Sequence, residues 1–403
     1  MSLIVKKFGG SSVANAERVF NVANIITEEY KKGNDVVVVV SAQGDTTDDL
    51  IEKAKEINPG GASKREMDML LAAGEQISIA LLAMAIEKLG FPVISLLGWQ
   101  AGFKTNSAHG IARIKTVDSE RIRNELDKKK IVIVAGFQGI SKYDNVTTLG
   151  RGGSDTSAVA IAASMHADLC QIYTDVDGVY TADPRKVKNA VKMDEITYDE
   201  MLELASLGAQ VLNNRSVEMA KKYGVELEVR SSLESEKPGT IVKEKVKMEK
   251  MLIRGVAKDN NVSRISLVGL KDTPGVAFKV FNKLAQAKVN IDIILQSVGR
   301  DGTKDITFTV TEDQSTDAIA ALEEINDVLE YKNIVADSSV SKVSIVGAGM
   351  ETHPGVAAKM FEALADANIN IQMISTSEIK ISVLIDQNDA DRAVSAVHAK
   401  FFD

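Results

Sequence analysis

The sequence predicts an α/β protein in which an open, mostly parallel sheet lies between layers of helices and is followed by two smaller α+β, ferredoxin-like modules. Two observations lead to this fold class. In the first half of the chain, short β-branched runs alternate with helical patterns, as they do in layered α/β folds. In the second half, one segment occurs twice, so that Pro274 recurs as Pro354, 80 positions later.

The predicted strands of the first half are apolar on both faces, as strands are when helices cover both sides of a sheet. They are the runs 36–40, 93–97, 131–137 and 171–174, and helical patterns lie at 14–32, 64–89 and 155–167. Ligands of open parallel sheets lie beyond the carboxyl ends of the strands. The polar segments at those ends, 7–11, 41–47 and 174–177, are therefore the expected site.

The composition argues against several classes of function. A net charge of −8 over 403 residues argues against nucleic acid and anionic membranes as partners. No uninterrupted apolar run approaches the roughly 20 residues of a membrane span, and the apolar residues 3–5 begin a strand instead of a signal peptide. The single cysteine, Cys170, excludes an internal disulfide and fits a reducing cytoplasm. Four scattered histidines offer no zinc-like cluster, so any metal is expected to be Mg²⁺ bound by carboxylates and substrate phosphate.

The repeated segment marks a duplicated module. Residues 273–297 (TPGVAFKVFNKLAQAKVNIDIILQS) align with residues 353–377 (HPGVAAKMFEALADANINIQMISTS). A strand pattern precedes each copy, and another strand and a second helix follow it, so each unit is predicted to be β-α-β-β-α. Only two copies occur, which predicts a paired module and not a solenoid.

Between the two halves, the polar, turn-rich stretch 231–240 and the charged run 243–250 predict a solvated linker. The expected domains are a catalytic domain at 1–230, a linker and approach to the repeats at 231–263, and repeat modules at 264–337 and 338–403.

The first glycine-containing turn follows the first predicted strand, in the segment VKKFGGSSV at 5–13. Its spacing is neither that of a P-loop nor that of a dinucleotide-binding turn. Lys7, at the end of the strand, can direct its ammonium group at phosphate oxygens, together with the backbone N–H groups of Gly9 and Gly10. Because phosphoryl transfer depends mainly on positioning and charge neutralisation, Lys7 is predicted to stabilise a transferred phosphoryl group. The alternative is a solvated lysine beside a simple turn.

A second glycine-rich segment, TLGRGGSDTSA at 148–158, follows a predicted strand. Ser154 or Asp155 is expected to cap a helix that runs from Thr156 onward, and the N-terminus of a helix favours an anion. Arg151 is suited to a two-pronged contact with a carboxylate or phosphate. We therefore predict that Arg151 binds a substrate carboxylate and that Asp155 orients neighbouring donors, the alternative being that Asp155 is only a helix cap.

The third segment, YTDVDGVYTADPR at 173–185, places several aspartates after a strand. A polar loop with an aromatic residue could frame a purine and its ribose. Its Asp-Gly and Asp-Pro pairs are also typical of a surface turn, so the residues alone leave both interpretations open.

Taken together, these segments resemble the aspartate kinases of the amino-acid kinase family. The matching segments are VKKFGGSSV (5–13), VVVSAQGDTTD (38–48), LLAAGEQIS (70–78), TTLGRGGSDTSA (147–158), TDVDGVYTADPR (174–185) and VSIVGAGMETHPGVAAKMFEAL (343–364), so the resemblance extends over nearly the whole chain. It implies transfer of the γ-phosphoryl group of ATP to the side-chain carboxylate of L-aspartate, which gives 4-phospho-L-aspartate and ADP. This reaction is the first step towards lysine, threonine and methionine.

The resemblance also implies roles for individual residues. The implied catalytic residues are Lys7, Gly10 and Asp155. The residues implied to bind aspartate are Ser41, Thr47, Glu75, Arg151 and Ser154, with Glu75 available to the amino group and Arg151 to the α-carboxylate. The nucleotide, with Mg²⁺ bridging its phosphates, would contact Lys7, Phe8, Gly9, Gly10, Thr174, Asp175, Tyr180, Asp183, Arg185, Gln210 and Val211. Many members of the family carry a lysine where this chain has Gln210, which keeps a hydrogen bond but lacks the charge.

The repeats resemble ACT domains, regulatory modules that bind amino acids between paired copies. The implied effector-binding residues of the first copy are Asp272, Asn290, Ile291, Asp292 and Gln296. Those of the second copy are Val356, Asn370, Ile371, Thr376, Ser377 and Glu378. Four apolar positions of the first copy, Ala277, Phe281, Leu284 and Ile294, are expected to belong to the core.

Three functions remain open from the sequence. The first is an aspartate kinase inhibited by lysine, threonine or both, and the second is a kinase of the same fold that acts on another carboxylate, such as an N-acetylated glutamate. Glu75 favours the first, because a free α-amino group needs an acidic partner. The third is a non-catalytic amino-acid sensor, against which the presence of Lys7, Arg151 and Asp155 argues.

The resemblance finally implies an assembly. ACT pairs in relatives often join across a dimer, so a homodimer or larger homo-oligomer is expected. Met248 or Met251 could start a separately translated regulatory subunit. Effector binding in the repeats is expected to bias closure of the catalytic lobes.

Overall fold

The computed structural model describes residues 2–207, 211–246, 252–297, 302–350 and 353–402. The chain forms two compact units, one built from residues 1–180 and 191–249 and the other from residues 181–190 and 250–403. Three residues singled out in the sequence, Gln210, Met248 and Met251, lie outside the described residues.

The first unit is an α/β structure. Its strands and helices are, in chain order, β1 (Leu3–Phe8), α1 (Ala16–Lys31), β2 (Asp35–Val40), α2 (Thr46–Ile57), α3 (Lys64–Lys88), β3 (Val93–Leu96), β4 (Phe103–Thr105), β5 (Ile114–Val117), α4 (Glu120–Asp127), β6 (Ile131–Ala135), β7 (Gln138–Ile140), β8 (Val146–Thr148), α5 (Gly153–Met165), β9 (Leu169–Thr174), β10 (Glu195–Thr197), α6 (Tyr198–Ser206), α7 (Asn214–Tyr223), β11 (Leu227–Ser231) and β12 (Thr240–Lys243).

Eight of these strands form one sheet in the order β10-β12-β11-β9-β1-β2-β6-β3, and the pairs are parallel except for β11 with β12. A smaller four-stranded sheet has the order β5-β4-β7-β8. The valines at 36–40 are all buried, as expected for a strand covered on both faces. The predicted fold class is therefore confirmed for this half of the chain.

The register of the central strands brings the predicted polar segments to one edge of the sheet. Phe8, the last residue of β1, pairs with Val40 on one side and Tyr173 on the other. The next residues along the three chains, Gly9, Ser41 and Thr174, therefore reach the same carboxyl edge, as the sequence predicted.

Helix α5 begins earlier than the sequence predicted. Gly152 precedes it in the left-handed conformation, with φ of 68°, and the helix starts at Gly153. A Cβ at Gly152 would lie 2.3 Å from Asn213 Nδ2, so only glycine fits this reversal. The expectation that Ser154 or Asp155 caps a helix starting at Thr156 is wrong, because both residues lie in the first helical turn.

Helix α3 is the one described helix that is long and apolar enough to cross a membrane by length and composition. The sequence predicted a helix at 64–89 but no membrane span, because polar residues interrupt its apolar runs. Its buried face contributes Ile79, Leu82 and Ile86 to the core of the first unit, as the central helix of a globular protein does.

The second unit contains both repeat modules. Its strands and helices are β13 (Gly255–Asp259), β14 (Ser263–Lys271), α8 (Val276–Gln286), β15 (Ile294–Gln296), β16 (Thr303–Val310), α9 (Ser315–Glu323), α10 (Asn326–Leu329), β17 (Asn333–Asp337), β18 (Val340–Val346), α11 (Val356–Asp366), β19 (Met373–Thr376), β20 (Lys380–Asp386) and α12 (Ala390–Phe402). They build two antiparallel sheets, β15-β16-β14-β17 and β13-β18-β20-β19. The ferredoxin-like expectation is confirmed.

Each of these sheets has a fourth strand that the β-α-β-β-α pattern did not include. Strand β17 pairs with β14, whereas β13, which precedes the first module in the chain, pairs with β18 of the second module. Strand β12 likewise belongs to the main sheet of the first unit. The predicted linker and approach to the repeats at 231–263 therefore contains two sheet strands, at 240–243 and 255–259, where Val242 and Val256 are buried.

Residues 181–190 were expected in the catalytic domain but belong to the second unit. Ala182 and Val187 join the apolar core of the second module. The Thr181 hydroxyl lies 2.8 Å from Nε2 of His398 in α12, and Lys186 pairs with Asp391 at 2.9 Å. This segment is therefore held within the second unit by packing, hydrogen bonding and charge.

One prediction about the core of the repeats is wrong. Ile294, expected in the core, is 50% exposed on the edge strand β15. The side chain of Val356 is buried in the core of the second module at the start of α11, and its expected contact with an effector stays a prediction. Leu284 is buried as predicted, and Ala277 and Phe281 pack against the same core while partly exposed.

Candidate active site

A cavity of about 720 Å³ lies in the first unit, beside the carboxyl edge of β1 and β2 and the start of α5. It is lined by glycines, hydroxyl residues and charged side chains. Among its lining residues are Lys7, Gly9, Gly10, Ser41, Thr47, Glu75, Arg151, Ser154 and Asp155, all of which were singled out in the sequence.

Lys7 and Asp155 form an ion pair in this cavity. Lys7 Nζ lies 2.6 Å from Asp155 Oδ1, and both side chains are nearly nine-tenths buried. Lys7 is the penultimate residue of β1, and Asp155 lies in the first turn of α5. The carboxylate holds the ammonium group in one position, and the ammonium group keeps further N–H donors for a phosphate. A solvated strand-end lysine is therefore not what the fold contains.

The turn after β1 packs backbone against backbone. A Cβ at Gly10 would lie 2.5 Å from the carbonyl oxygen of Ala42, and Gly44 N donates to Gly10 O at 3.0 Å. Gly10 is therefore needed for the close approach of the turn to the loop after β2. That approach brings Ser41, at the end of β2, and Thr47, in the first turn of α2, to the same cavity.

Glu75 is a buried acid whose partners are incomplete. Its side chain comes from the middle of α3, the residue is 3% exposed, and Oε1 accepts a hydrogen bond from Ala42 N at 3.2 Å. The other oxygen, Oε2, is buried and has no hydrogen-bond partner among the described residues. Burial raises the pKa of Glu75 to about 8, although hydrogen bonds from the backbone of Glu75 itself and of Ala42 act in the opposite direction. A cation bound in the cavity would supply the partner that Oε2 lacks.

Arg151 supplies the opposite charge. It lies between Gly150 and Gly152, just before α5, and its side chain is exposed. Its guanidinium group has no hydrogen bond or ion pair with the part of the chain that the structure describes, so it is available to an anionic ligand. The N-terminus of α5, with Ser154 buried in its first turn, favours negative charge at the same place.

A hydrogen-bonded cluster missed in the sequence also lines the cavity. Asp68, on α3, is 1% exposed and lies 2.7 Å from Nδ1 of His109. It also accepts hydrogen bonds from Gly110 N and from the Thr148 hydroxyl. The only signal in the sequence was an acidic residue on the apolar face of α3, because the partners are about 40 and 80 positions away along the chain.

The ring of Phe8 lies away from the cavity, and its predicted contact with the nucleotide stays a prediction. Its ring is fully buried and stacks on Tyr173 with the ring centroids 4.6 Å apart. The ring belongs to the apolar core beneath the sheet, because residue 8 faces away from the cavity that Lys7 enters. Only its backbone lies beside the site, where Phe8 O accepts a hydrogen bond from Ser41 N at 3.1 Å.

The other predicted nucleotide contacts are not among the residues that line this cavity. Thr174 donates to Asp175 at 2.9 Å, and Tyr180 donates to Asp177 at 2.8 Å. Burial and the Asp177 carboxylate raise the pKa of Tyr180 to about 12. Asp183 and Arg185 lie in the second unit and form a two-pronged ion pair with each other. Val211 lies in the first unit. All six, Thr174, Asp175, Tyr180, Asp183, Arg185 and Val211, stay predictions.

The predicted effector contacts fall into two groups. The two acids have cationic partners: Asp272 pairs with Lys304 at 3.0 Å, and Asp292 pairs with the buried Lys342 at 2.5 Å. Asn290 N donates to the Gln314 side chain at 3.0 Å. The remaining positions lie at or beside the edge strands β15 and β19, where most are exposed: Ile291, Gln296, Asn370, Ile371, Thr376, Ser377 and Glu378.

Comparison with known proteins agrees with this geometry. The amino acid kinase family matches residues 2–231, and an ACT domain family matches residues 265–325 and 343–401. The chain therefore belongs to the amino acid kinase family and carries regulatory modules of the ACT class.

Within that class, the chain belongs to the aspartokinases. It is 54% identical over 407 aligned residues to an aspartokinase of Mycolicibacterium smegmatis, covering 100% of this chain and 96% of that protein. The crystal structure of E. coli aspartokinase III with aspartate and ADP (R-state) is similar over 100% of both chains, with 25% identity and a TM-score of 0.83. The structure of the same E. coli enzyme with lysine and aspartate (T-state) covers 100% of both chains, with 25% identity and a TM-score of 0.76.

Proposed function

We propose that this cavity binds L-aspartate and transfers the γ-phosphoryl group of ATP to its side-chain carboxylate. The observation that carries the proposal is the unpartnered, buried Oε2 of Glu75 in a cavity that also presents Arg151. A free amino acid carries one ammonium group and one α-carboxylate, and these match one buried acid and one available guanidinium group. Ser41, Thr47 and Ser154 add hydroxyl donors and acceptors to the same cavity.

The same observation argues against an N-acetylated acceptor. An acylated nitrogen is uncharged and has a single N–H donor, so it cannot form an ion pair with Glu75, and burial keeps the unpaired carboxyl largely protonated at pH 7. The free amino acid is therefore the better match.

In the transfer, a side-chain carboxylate oxygen of aspartate forms a bond to the γ-phosphorus while the bond to the β–γ bridging oxygen breaks, and ADP leaves. The carboxylate needs no general base, because it is already ionised. Lys7 stabilises the negative charge on the transferring group, and Asp155 keeps Lys7 in place. The N–H groups of Gly9 and Gly10 and the N-terminus of α5 act on the same charge.

Mg²⁺ fits this site as a companion of ATP. The described residues contain no group of three or more acidic, histidine or cysteine side chains that could hold a metal ion by themselves. Mg²⁺ is commonly bound through substrate phosphates and one or two carboxylates. Asp155 is the cavity carboxylate beside Lys7 and is suited to orient such an ion, which would neutralise phosphate charge.

We propose that lysine, threonine or both inhibit the enzyme through the two ACT modules. The E. coli enzyme whose structure contains lysine supports this, as do the exposed polar positions beside β15 and β19. We expect a homodimer or larger homo-oligomer. We also expect a soluble, cytoplasmic protein, and the single, buried Cys170 supports the cytoplasmic location. A separately translated regulatory subunit would start near Met248 or Met251.

The test is to incubate the protein with Mg-ATP and L-aspartate and to trap the acyl phosphate as a hydroxamate with hydroxylamine. N-acetyl-L-aspartate is the matched control, because it keeps the acceptor carboxylate and removes the ammonium group. We expect product from aspartate alone, and less product with lysine, threonine or both. Product from the acetylated acid at a similar rate would favour the second class of kinase. No product from any acid, with an effector still bound, would favour a sensor.

A further inference from the structure

The cluster around Asp68 has a built geometry that the proposed roles leave unused. The Asp68 carboxylate accepts hydrogen bonds from His109 Nδ1 at 2.7 Å, from Gly110 N at 3.0 Å and from the Thr148 hydroxyl at 2.5 Å. The carboxylate is therefore surrounded by donors from one loop, which contains His109 and Gly110, and from strand β8, which contains Thr148. This arrangement fixes both the position and the orientation of the His109 ring.

The contact with Asp68 fixes the use of one ring nitrogen. His109 is the only basic partner of Asp68 among the described residues. Nδ1 donates to Asp68, and the ring binds an anion at its other nitrogen when it carries a proton on Nε2 as well. Nε2 has no partner in the described part of the chain, and the side chain of His109, which lines the cavity, is 18% exposed.

The backbone contacts place this ring on the wall of the cavity that carries Arg151. A Cβ at Gly150, the residue before Arg151, would lie 3.2 Å from the carbonyl oxygen of Gly110, the residue after His109. Ala112 N also donates to Thr148 O at 2.9 Å, which joins the same two loops. His109 and Arg151 therefore come from adjoining loops, and both line the same cavity.

We propose that Nε2–H of His109 binds the α-carboxylate of aspartate together with Arg151, and that Asp68 is the positioning residue that holds the ring. The inference rests on the proposed function, because it assigns a residue to the aspartate site. It makes His109 a specificity-determining contact for the amino-acid end of the substrate, remote from the transferred phosphoryl group.

Two amide substitutions separate binding from loop support. In His109→Asn, the side-chain amide occupies the position of Nδ1 and can still bond Asp68, but nothing reaches the position of Nε2. In His109→Gln, the amide reaches the position of Nε2 and keeps a donor toward the ligand. If the His109 ring only supports the loop, the asparagine variant should be the more active enzyme. If Nε2 contacts the substrate, the glutamine variant should be the more active one.

The experiment is steady-state hydroxamate formation by the full-length protein, with aspartate and ATP varied separately. We expect His109→Asn to raise KM for aspartate at least about tenfold, as for a lost hydrogen bond to a charged group, with KM for ATP within about twofold. We expect His109→Gln to recover most of the loss. With L-aspartic acid α-amide, which lacks the carboxylate charge, the wild type and His109→Asn should differ much less.

The outcomes are separable. If the wild type forms no hydroxamate from aspartate, the proposed function fails, and the role of His109 fails with it. If the wild type is active and His109→Asn keeps its KM for aspartate, only the role of His109 is overturned. Equal losses for aspartate and the α-amide, or a lower melting temperature with both KM values raised, would also overturn it, since those results indicate loop support alone.

Discussion

Replacing Glu75 by glutamine removes a buried acid of the cavity whose second oxygen has no hydrogen-bond partner among the described residues. The pKa of Glu75 is about 8 in the free protein because the carboxyl is buried. At pH 7 it is therefore about nine-tenths protonated. Binding of an ammonium group requires the carboxylate, so aspartate binding should release about 0.9 proton at pH 7 and about 0.5 proton at pH 8.

The assay is titration calorimetry of aspartate binding in buffers with different ionisation enthalpies, from which the number of released protons is obtained. The apparent affinity of the wild type should rise about tenfold between pH 6 and pH 7 and level off above about pH 8.5. Glu75→Gln should bind at least about thirtyfold more weakly at pH 8.5, and its disadvantage should shrink toward pH 6. Glu66→Gln, an exposed acid on the same helix, is the matched control and should behave as the wild type.

The same carboxyl also determines how stability depends on pH. The folded protein holds the proton more tightly than the unfolded chain, whose glutamate has the ordinary pKa of 4.5. The contribution of Glu75 is therefore fully favourable below pH 4.5 and is lost as the pH rises to about 8, by about 1.4 kcal/mol per pH unit. Glu75→Gln lacks this loss, so its melting temperature should exceed that of the wild type by more at pH 8 than at pH 5. Proton release that is absent at pH 7, or equal in the wild type and Glu75→Gln, would refute the reasoning.

Three further substitutions test other parts of the site. Lys7→Met leaves Asp155 without its cation and should lower kcat in the hydroxamate assay about 100-fold to 1000-fold, with little change in KM for aspartate; an unchanged kcat would contradict the role of Lys7. Gly10→Ala places a methyl group 2.5 Å from a backbone oxygen and should lower both activity and melting temperature, whereas Gly60→Ala, whose Cβ would meet only a side-chain atom at 3.6 Å, should change neither. Phe8→Ala should cost about 3–5 kcal/mol in free energy of unfolding, measured by denaturation of the first unit; a loss of nucleotide affinity without a loss of stability would instead support a direct contact.

The sequence by itself determined the fold class and most of the candidate site. Alternation of β-branched runs and helical patterns specified the layered unit, because a covered parallel strand has to be apolar on both faces. The carboxyl ends of parallel strands converge on one edge, so Lys7 and Ser41 could be assigned to one site from their positions after strands. The repeat specified two ferredoxin-like modules, because two segments with the same pattern of apolar residues bury the same faces of their helices and strands.

Tertiary structure decided which distant side chains meet and which backbone segments pair. The Asp68–His109 contact joins positions about 40 residues apart, and no local pattern encodes it, because hydrogen bonding depends on the folded distance. Strand β13 pairs with the second module across the intervening first one, since pairing depends on an available sheet edge and not on proximity in the chain. The pKa of Glu75 likewise arises from burial by residues of several elements, so the chemical character of this acid exists only in the folded protein.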